Sequence, residues 1–279
     1  MPTIPYGVHL DMPSEVYHAL PGVSATKLKK LHGSTPAHLK AYLDAKQTET
    51  TALIKGTMAH AIILEPDKPL PGLAVEPEEY APGKKWTYQA NACKEWRATQ
   101  EAAGLMVLSR KEHQEVFGMA RAIAKHPVAG DYFRAGKAEV SVIVHDQLND
   151  IPVRCRFDWI PEVPNVICDL KTTRDASESG FTRLAYDLGY HIQAALYIDM
   201  WTAVAGKDDP RMEWKFIAVE SDAPFAVNVF NASEEFIARG REHYTDALAL
   251  FAKCVRENSW PAYTPTEKQL NLPNWAKTR

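Results

Sequence analysis

Residues Val153–Lys171 read VRCRFDWIPEVPNVICDLK. Two apolar, β-rich runs flank a Pro-bounded turn, and each run delivers an acid: Asp158 on the first, Asp169 on the second. Lys171 follows Asp169 by two residues. Side chains alternate across a strand, so residues i and i+2 share a face. Asp169 and Lys171 therefore point together, while Leu170 points into the core. The same alternation sets Phe157 and Trp159 on one face of the first run, and Arg154, Arg156 and Asp158 on the other. Two carboxylates and an amine converging at a hairpin suit a divalent metal and a hydrolytic water.

The chain has 279 residues, enough for one large domain or two small ones. Its 46% hydrophobic and 24% charged content is that of a globular protein. A net charge of −3 gives no basic tail, yet basic groups confined to one groove could still grip nucleic acid. None of Cys93, Cys155, Cys168 and Cys254 forms a CxxC pair, so zinc-ribbon and iron–sulfur signatures are absent. Thiols in apolar runs fit a reduced, cytoplasmic compartment. The N-terminus MPTIPYGVHLDMP carries no export signal, and no apolar run approaches the ~18–20 residues needed to span a membrane.

Outward from the hairpin, Pro2, Pro5, Pro13 and Pro21 predict irregular backbone over residues 1–23. Ser24 caps a predicted helix ATKLKKL, which resumes after Gly33 and Pro36 as AHLKAYL. Residues 50–64 read as an apolar helix ending before Pro66. Residues 66–87, with Pro66, Pro69, Pro71, Pro77 and Pro82, read as a long exposed loop. Helices are expected over 88–102 and from Ser109, where Glu112 completes a capping box, to Pro127. Strands follow at 138–146, in the two runs of the hairpin, and in WKFIAVE and FAVNVF. A helix is expected over 177–205, another from Ser233 to about Asn258, and an irregular tail over 259–279. The expected fold is α/β (α+β): a central mixed sheet of about five strands flanked by helices. It forms a single domain over 1–279, with a mainly helical N-terminal part (1–135) and an αβ core (136–258).

Each polar residue taken singly has a plain structural explanation. Asp158 could lie on an exposed strand face, and Asp169 could pair with Lys171 at a strand end. His60, among Met58, Ala59, Ala61, Ile62 and Ile63, could be a satisfied core histidine. Glu139 could be an edge-strand charge. Gln193 and Tyr197, four apart in GYHIQAALY, share a helix face. Asp169 resists this treatment most, because a carboxylate after Val166-Ile167-Cys168 is costly unless paired or metal-bound.

Taken together, the set resembles the PD-(D/E)xK nuclease superfamily, with Asp169 where an acid–x–Lys motif more often has Glu. Gln193 and Tyr197 match the QxxxY motif of its RecB-like branch. The blocks GVHLDMPSEVYHALPGVSATKLKKL, TPAHL, KGTMAHAIILEP, DLKTTRDAS and GYHIQAALY resemble the nuclease domain of RecE-type exonucleases, from about Tyr6 to Trp260. That resemblance implies a restriction-endonuclease-like core and a Mg²⁺ cofactor, with Mn²⁺ as a substitute. His60, Asp158, Asp169 and the Leu170 carbonyl would be metal ligands. Lys171 would orient the attacking water, and Gln193 and, more loosely, Glu139 would complete the catalytic set. It further implies 5′ to 3′ digestion of linear double-stranded DNA, a RecT-type single-strand annealing partner, and a toroidal homo-oligomer, trimer or tetramer. Lys27, Lys29, Lys30, Arg174 and Arg183 are candidates for DNA contact, as is Tyr197. Trp86 and Tyr88 could stack on a DNA end. The rival readings are a single-strand exonuclease or endonuclease of the same superfamily, and an inactive DNA-end-binding module.

Overall fold

The computed structural model describes residues 4–45, 50–68, 70, 72–206 and 208–272. Its first element, β1 (Gly7–His9), is an edge strand where prolines predicted irregular backbone. A short helix, α1 (Ser14–Ala19), then begins directly after Pro13, where a missing N–H costs nothing. Next come α2 (Ala25–His32), α3 (Pro36–Asp44) and α4 (Thr51–Leu64), as the sequence predicts. The Thr50 hydroxyl accepts the Leu53 N–H (3.2 Å) and fixes the start of α4.

The predicted 66–87 loop is instead partly ordered as short strands, although Pro69 and Pro71 lie outside the described residues. β2 (Leu73–Val75) is followed by a small hairpin of β3 (Glu79–Ala81) and β4 (Lys84–Lys85), which turns at Gly83. After α5 (Asn91–Ala102), the unpredicted β5 (Met106–Leu108) pairs in parallel with β2. α6 (Arg110–Lys125) has the expected capping box: Ser109 Oγ accepts the Glu112 N–H (3.2 Å), and Glu112 Oε2 accepts the Ser109 N–H (2.7 Å). α7 (Pro127–Tyr132) restarts at Pro127, the residue expected to close the helical region.

The C-terminal half contains β6 (Gly136–Asp146), β7 (Ile151–Pro161) and β8 (Asn165–Thr173). Then come α8 (Glu178–Asp187), α9 (Tyr190–Ala205), β9 (Arg211–Glu220), β10 (Val227–Asn231) and α10 (Glu234–Glu257). The single helix predicted over 177–205 is broken by Gly189, whose φ of 69° is left-handed. From Ser259 to Leu272 the tail holds no helix or strand, and 273–279 lie outside the described residues.

The main sheet has six strands in the order β1-β6-β7-β8-β9-β10, one more than expected because β1 joins its edge. All neighbours are antiparallel except β8 and β9, which are joined through α8 and α9 as a parallel pair requires. Helices cover both faces. One core sets Leu28 of α2, Ile192 of α9 and Phe251 of α10 against Phe157 and Trp214. The other sets Met58 of α4 and Met119 of α6 against Leu170 and Ile217. β8 serves both: Ile167 faces the first core, while Val166, Cys168 and Leu170 face the second. A strand buried on both faces reads as a continuous apolar run, which is how 166–168 reads. Burying a side chain such as Leu170 contributes about 1.5–3 kcal/mol.

β7 departs from the predicted alternation at the point that matters. Phe157 belongs to the first core and Trp159 to the second, so they do not share a face. Opposite them, Glu139 of β6 has a φ of 53°, between the paired Ala138↔Trp159 and Val140↔Phe157. Trp159 Nε1 donates to the Tyr132 carbonyl (2.8 Å), anchoring the switched side. Nor is the Arg154–Arg156 face open to water. Tyr17 of α1 lies over both guanidinium groups, at 4.7 and 5.0 Å.

Candidate active site

β7 and β8 pair through Trp159↔Cys168 and then part. The site forms where they part. The Leu170 N–H would face β7 in a continued ladder, and Asp158 Oδ2 accepts it instead (2.8 Å). The Leu170 carbonyl points the same way and accepts from His60 Nε2 (3.1 Å). A carbonyl only accepts, so Nε2 carries the proton and the His60 Nδ1 lone pair is left facing Asp158 Oδ2 at 3.9 Å. Among the described residues, His60, Asp158 and Glu139 each bring one ligand atom within 4.8 Å of the others. Arg156 Nε stands 3.4 Å from Glu139 Oε2. The left-handed backbone of Glu139 costs on the order of 1 kcal/mol and falls on a residue of this cluster.

Asp169 sits beside the cluster rather than in it. It is only 1% exposed, and both of its oxygens are engaged. Gln193 Nε2 donates to Oδ1 (2.7 Å), and the Lys171 ammonium forms an ion pair with Oδ2. Gln193 Oε1 in turn accepts from Lys29 Nζ (3.2 Å). Tyr190 faces both ammonium groups, at 5.3 Å from Lys29 and 4.9 Å from Lys171. Gly189 makes this possible, since a Cβ there would come within 3.0 Å of the Lys29 side chain.

Burial dominates the electrostatics. It pushes Glu139 up to about 7, helped by the charge of Asp158. It raises Asp169 to about 6 against the pull of Lys171, and it raises Asp158 above the usual carboxylate range. It lowers His60 to about 4, with Lys171 adding repulsion, so the imidazole is neutral at pH 7. Burial also works against the Lys171 charge, but Asp169 and Asp158 outweigh it and hold the group at about 12. Lys29 is lowered to about 8 by burial and by Lys171.

The donor chemistry fits a divalent cation. Two carboxylates and an imidazole lone pair, all acceptors, face one another, and His60 and Glu139 open onto a cleft of about 690 Å³ that Lys171 also lines. Oxygen-rich ligation with one imidazole suits Mg²⁺, and suits Mn²⁺ better.

The structure brings together His60, Asp158, Asp169, Lys171, Gln193, Glu139 and the Leu170 carbonyl. The expected convergence of His60 with both aspartates is only half realised, because Glu139 holds the third position while Gln193 and Lys171 hold Asp169. The Leu170 carbonyl, expected as a ligand, is hydrogen-bonded to His60. Tyr197 is a correction. It is buried, edge-on to Phe157 (5.1 Å) and Trp214 (5.6 Å), and so belongs to the core rather than to a DNA surface. Lys27 is not free either, donating to the Gly22 carbonyl (2.7 Å) over the Phe251 ring. Lys30 is exposed and lies over Tyr42. Arg174 is exposed in a cavity of about 600 Å³ beside the end of β8, shared with Lys55 and Lys111. Arg183 is exposed on α8, 3.7 Å from Asp187. Trp86 packs edge-on to Trp96 (5.2 Å), and Tyr88 donates to Glu76 (3.1 Å). Sequence reasoning missed Tyr190 altogether and misplaced Lys29, grouping it with surface lysines. The adjacent Leu28, an apolar anchor, was the available sign that α2 packs inward.

A mixed sheet with an acid on each of two diverging strands, and an acid–x–Lys on the second, defines a PDDEXK-like fold. The chain belongs to the family described as PDDEXK-like domain of unknown function (DUF3799), whose profile matches residues 24–269. The protein called "Putative exonuclease" from Eubacterium rectale has a similar structure, with a TM-score of 0.62 and 11% identity, over 95% of this chain and 96% of that one. At that identity the likeness speaks for the fold. Two others superpose too weakly to carry weight. They are a phage-related exonuclease from Haemophilus somnus 129PT (TM-score 0.33, 14% identity, 87% and 99% covered) and an alkaline exonuclease from Laribacter hongkongensis (TM-score 0.29, 12% identity, 62% and 87% covered). A sequence search of curated proteins found no match.

Proposed function

We propose that this chain is a divalent-metal-dependent DNA exonuclease. The observation that carries this reading is the acceptor cluster of His60, Asp158 and Glu139 beside the Asp169–Lys171 pair, in a chain of PDDEXK-like family. His60 Nδ1 and the Asp158 and Glu139 carboxylates would hold the cation, with Asp169 at its margin. A bound divalent ion offsets the phosphodiester charge and lowers the pKa of a coordinated water.

The chain's own residues supply the rest. Asp169 holds the Lys171 ammonium at the mouth of the strand gap, where it can orient a water and meet charge developing on phosphate. Gln193 fixes the Asp169 carboxylate with one end of its amide and Lys29 with the other. The Leu170 carbonyl sets the His60 tautomer, so that the free lone pair faces the acids.

The finer reading rests on the RecE-type resemblance. The substrate is linear double-stranded DNA digested 5′ to 3′, with Mg²⁺ as the working metal. The product is a 3′ single strand passed to a RecT-type annealing protein. The whole chain acts as one nuclease domain within a toroidal trimer or tetramer. Four buried, unpaired cysteines support a reducing, cytoplasmic setting. Among the described residues no helix is long and apolar enough to cross a membrane.

The test is hydrolysis of linear duplex by purified wild type, Asp169→Ala and Lys171→Ala, with Mg²⁺ or EDTA. Wild type should cleave only with metal, and both variants should fold but be inactive. Near-normal cleavage by either variant would sink the assignment. Metal binding without cleavage by wild type would favour the end-binding module.

A further inference from the structure

We propose that His32, His191 and His243 form a second metal site, of the zinc type, at the junction of α2, α9 and α10. One ring nitrogen from each lies within 4.8 Å of the other two. His191 Nε2 and His243 Nδ1 are 2.9 Å apart, and His32 stacks on His243 with ring centroids at 4.0 Å. His191 and His243 are buried, while His32 is exposed and closes the group on its solvent side.

The fold is shaped to bring these rings together. Gly240 of α10 lies against the His191 carbonyl so closely that a Cβ there would come within 1.9 Å of the oxygen. That contact lets α10 approach α9 and carries His243, three residues on, to His191. Tyr186 stacks on the outer side of His191 (4.9 Å), holding the ring in place.

A plain hydrogen-bonded histidine pair leaves the third ring unexplained, because His32 also brings a ring nitrogen to His191 and His243. His191 Nδ1 is buried without a hydrogen-bond partner among the described residues, so Nε2, the nitrogen paired with His243, is the one turned into the cluster. Three imidazoles without a carboxylate suit Zn²⁺ rather than Mg²⁺, with water completing a tetrahedron. Zinc–nitrogen bonds of about 2.0–2.1 Å set donor atoms roughly 3.3 Å apart, so only small side-chain adjustments are needed. Arg239, whose charge reaches His191 and His243, is paired with Glu242 (2.6 Å), and Glu242 and Asp246 add negative charge near His243.

The site would pin two helices that serve the first one. α2 carries Lys29 one turn before His32, and α9 carries Gln193 two residues after His191. Zinc here would therefore steady the Lys29–Gln193 pair without entering the chemistry.

Calorimetric titration of the full chain with Zn²⁺ tests the proposal. Wild type should bind two equivalents, one in each cluster. His60→Ala combined with Asp158→Asn should retain one. His32→Gln, at an exposed position and checked for fold by circular dichroism, should weaken that retained equivalent by at least about 10-fold. Co²⁺ added to wild type should give a visible four-coordinate absorption that His32→Gln and His243→Gln abolish. The proposal is overturned if the catalytic double variant binds no Zn²⁺. It is equally overturned if His32→Gln and His243→Gln leave Zn²⁺ affinity and the Co²⁺ spectrum unchanged.

Discussion

Replacing Asp158 with Asn should stabilise the metal-free protein while destroying its function. Asp158 is a buried carboxylate that accepts the Leu170 N–H, and an Asn carbonyl can accept that bond equally well. Its charge presses on two neighbours. Glu139 is held at about 7 and Asp169 at about 6, chiefly by burial and in part by Asp158. One pH unit of displacement corresponds to about 1.4 kcal/mol, and a minor share of each displacement belongs to Asp158. Removing its charge also removes its own desolvation cost, set against the loss of one of two anionic neighbours of Lys171. The balance is a gain of about 1–2 kcal/mol. Urea unfolding at pH 7.5 in EDTA reads it directly. Added Mn²⁺ should reverse the order: a ligand at 100 times its Kd stabilises wild type by about 2.7 kcal/mol, and the variant gains far less. The reasoning fails if Asp158→Asn is less stable than wild type in EDTA, because the acids would then not repel one another in the folded state.

Other expectations follow from the same geometry. Glu139 has a raised folded pKa, so it contributes stability below about pH 4.5 that is lost as pH rises through about 7. Stability in EDTA across pH 4.5–7 should therefore fall less steeply for Glu139→Gln than for wild type, and identical slopes would contradict this. Tyr197→Ala should cost about 3–5 kcal/mol in urea unfolding, as a large core aromatic, without altering the salt dependence of DNA binding. A changed salt slope would return Tyr197 to the DNA surface. Arg174→Ala should lower the slope of log affinity against log salt by about 1, with little effect on stability, and an unchanged slope would remove Arg174 from the phosphate contacts.

The hairpin itself was legible because β8 is buried on both faces and its apolar run is unbroken up to Asp169. The capping box at Ser109 and the start of α10 at Ser233 were legible for the same local reason: their signals lie within four residues. What could not be read was set by distant contacts. β1 becomes a strand only because β6 offers an open edge, and β5 only because β2 lies beside it. The switch of faces between Phe157 and Trp159 depends on the left-handed backbone of Glu139 across the ladder. Alternation along β7 alone assigned Asp158 to a polar face that Tyr17 in fact covers. Lys29 reaches the site because Gly189 clears its path from another helix, a relation no local pattern records. Glu139, the least firmly held of the site residues in sequence, joins the His60 and Asp158 cluster for the same long-range reason.

The most direct test of the metal-dependent exonuclease reading is digestion of a linear duplex labelled at either the 5′ or the 3′ end, with Mg²⁺ and with EDTA. A closed circular duplex serves as control. The 5′ label should be released early and only with Mg²⁺, the 3′ label should persist on a lengthening single strand, and the circle should stay intact. Release that is indifferent to metal, or no release at all by folded wild type, would contradict the central claim.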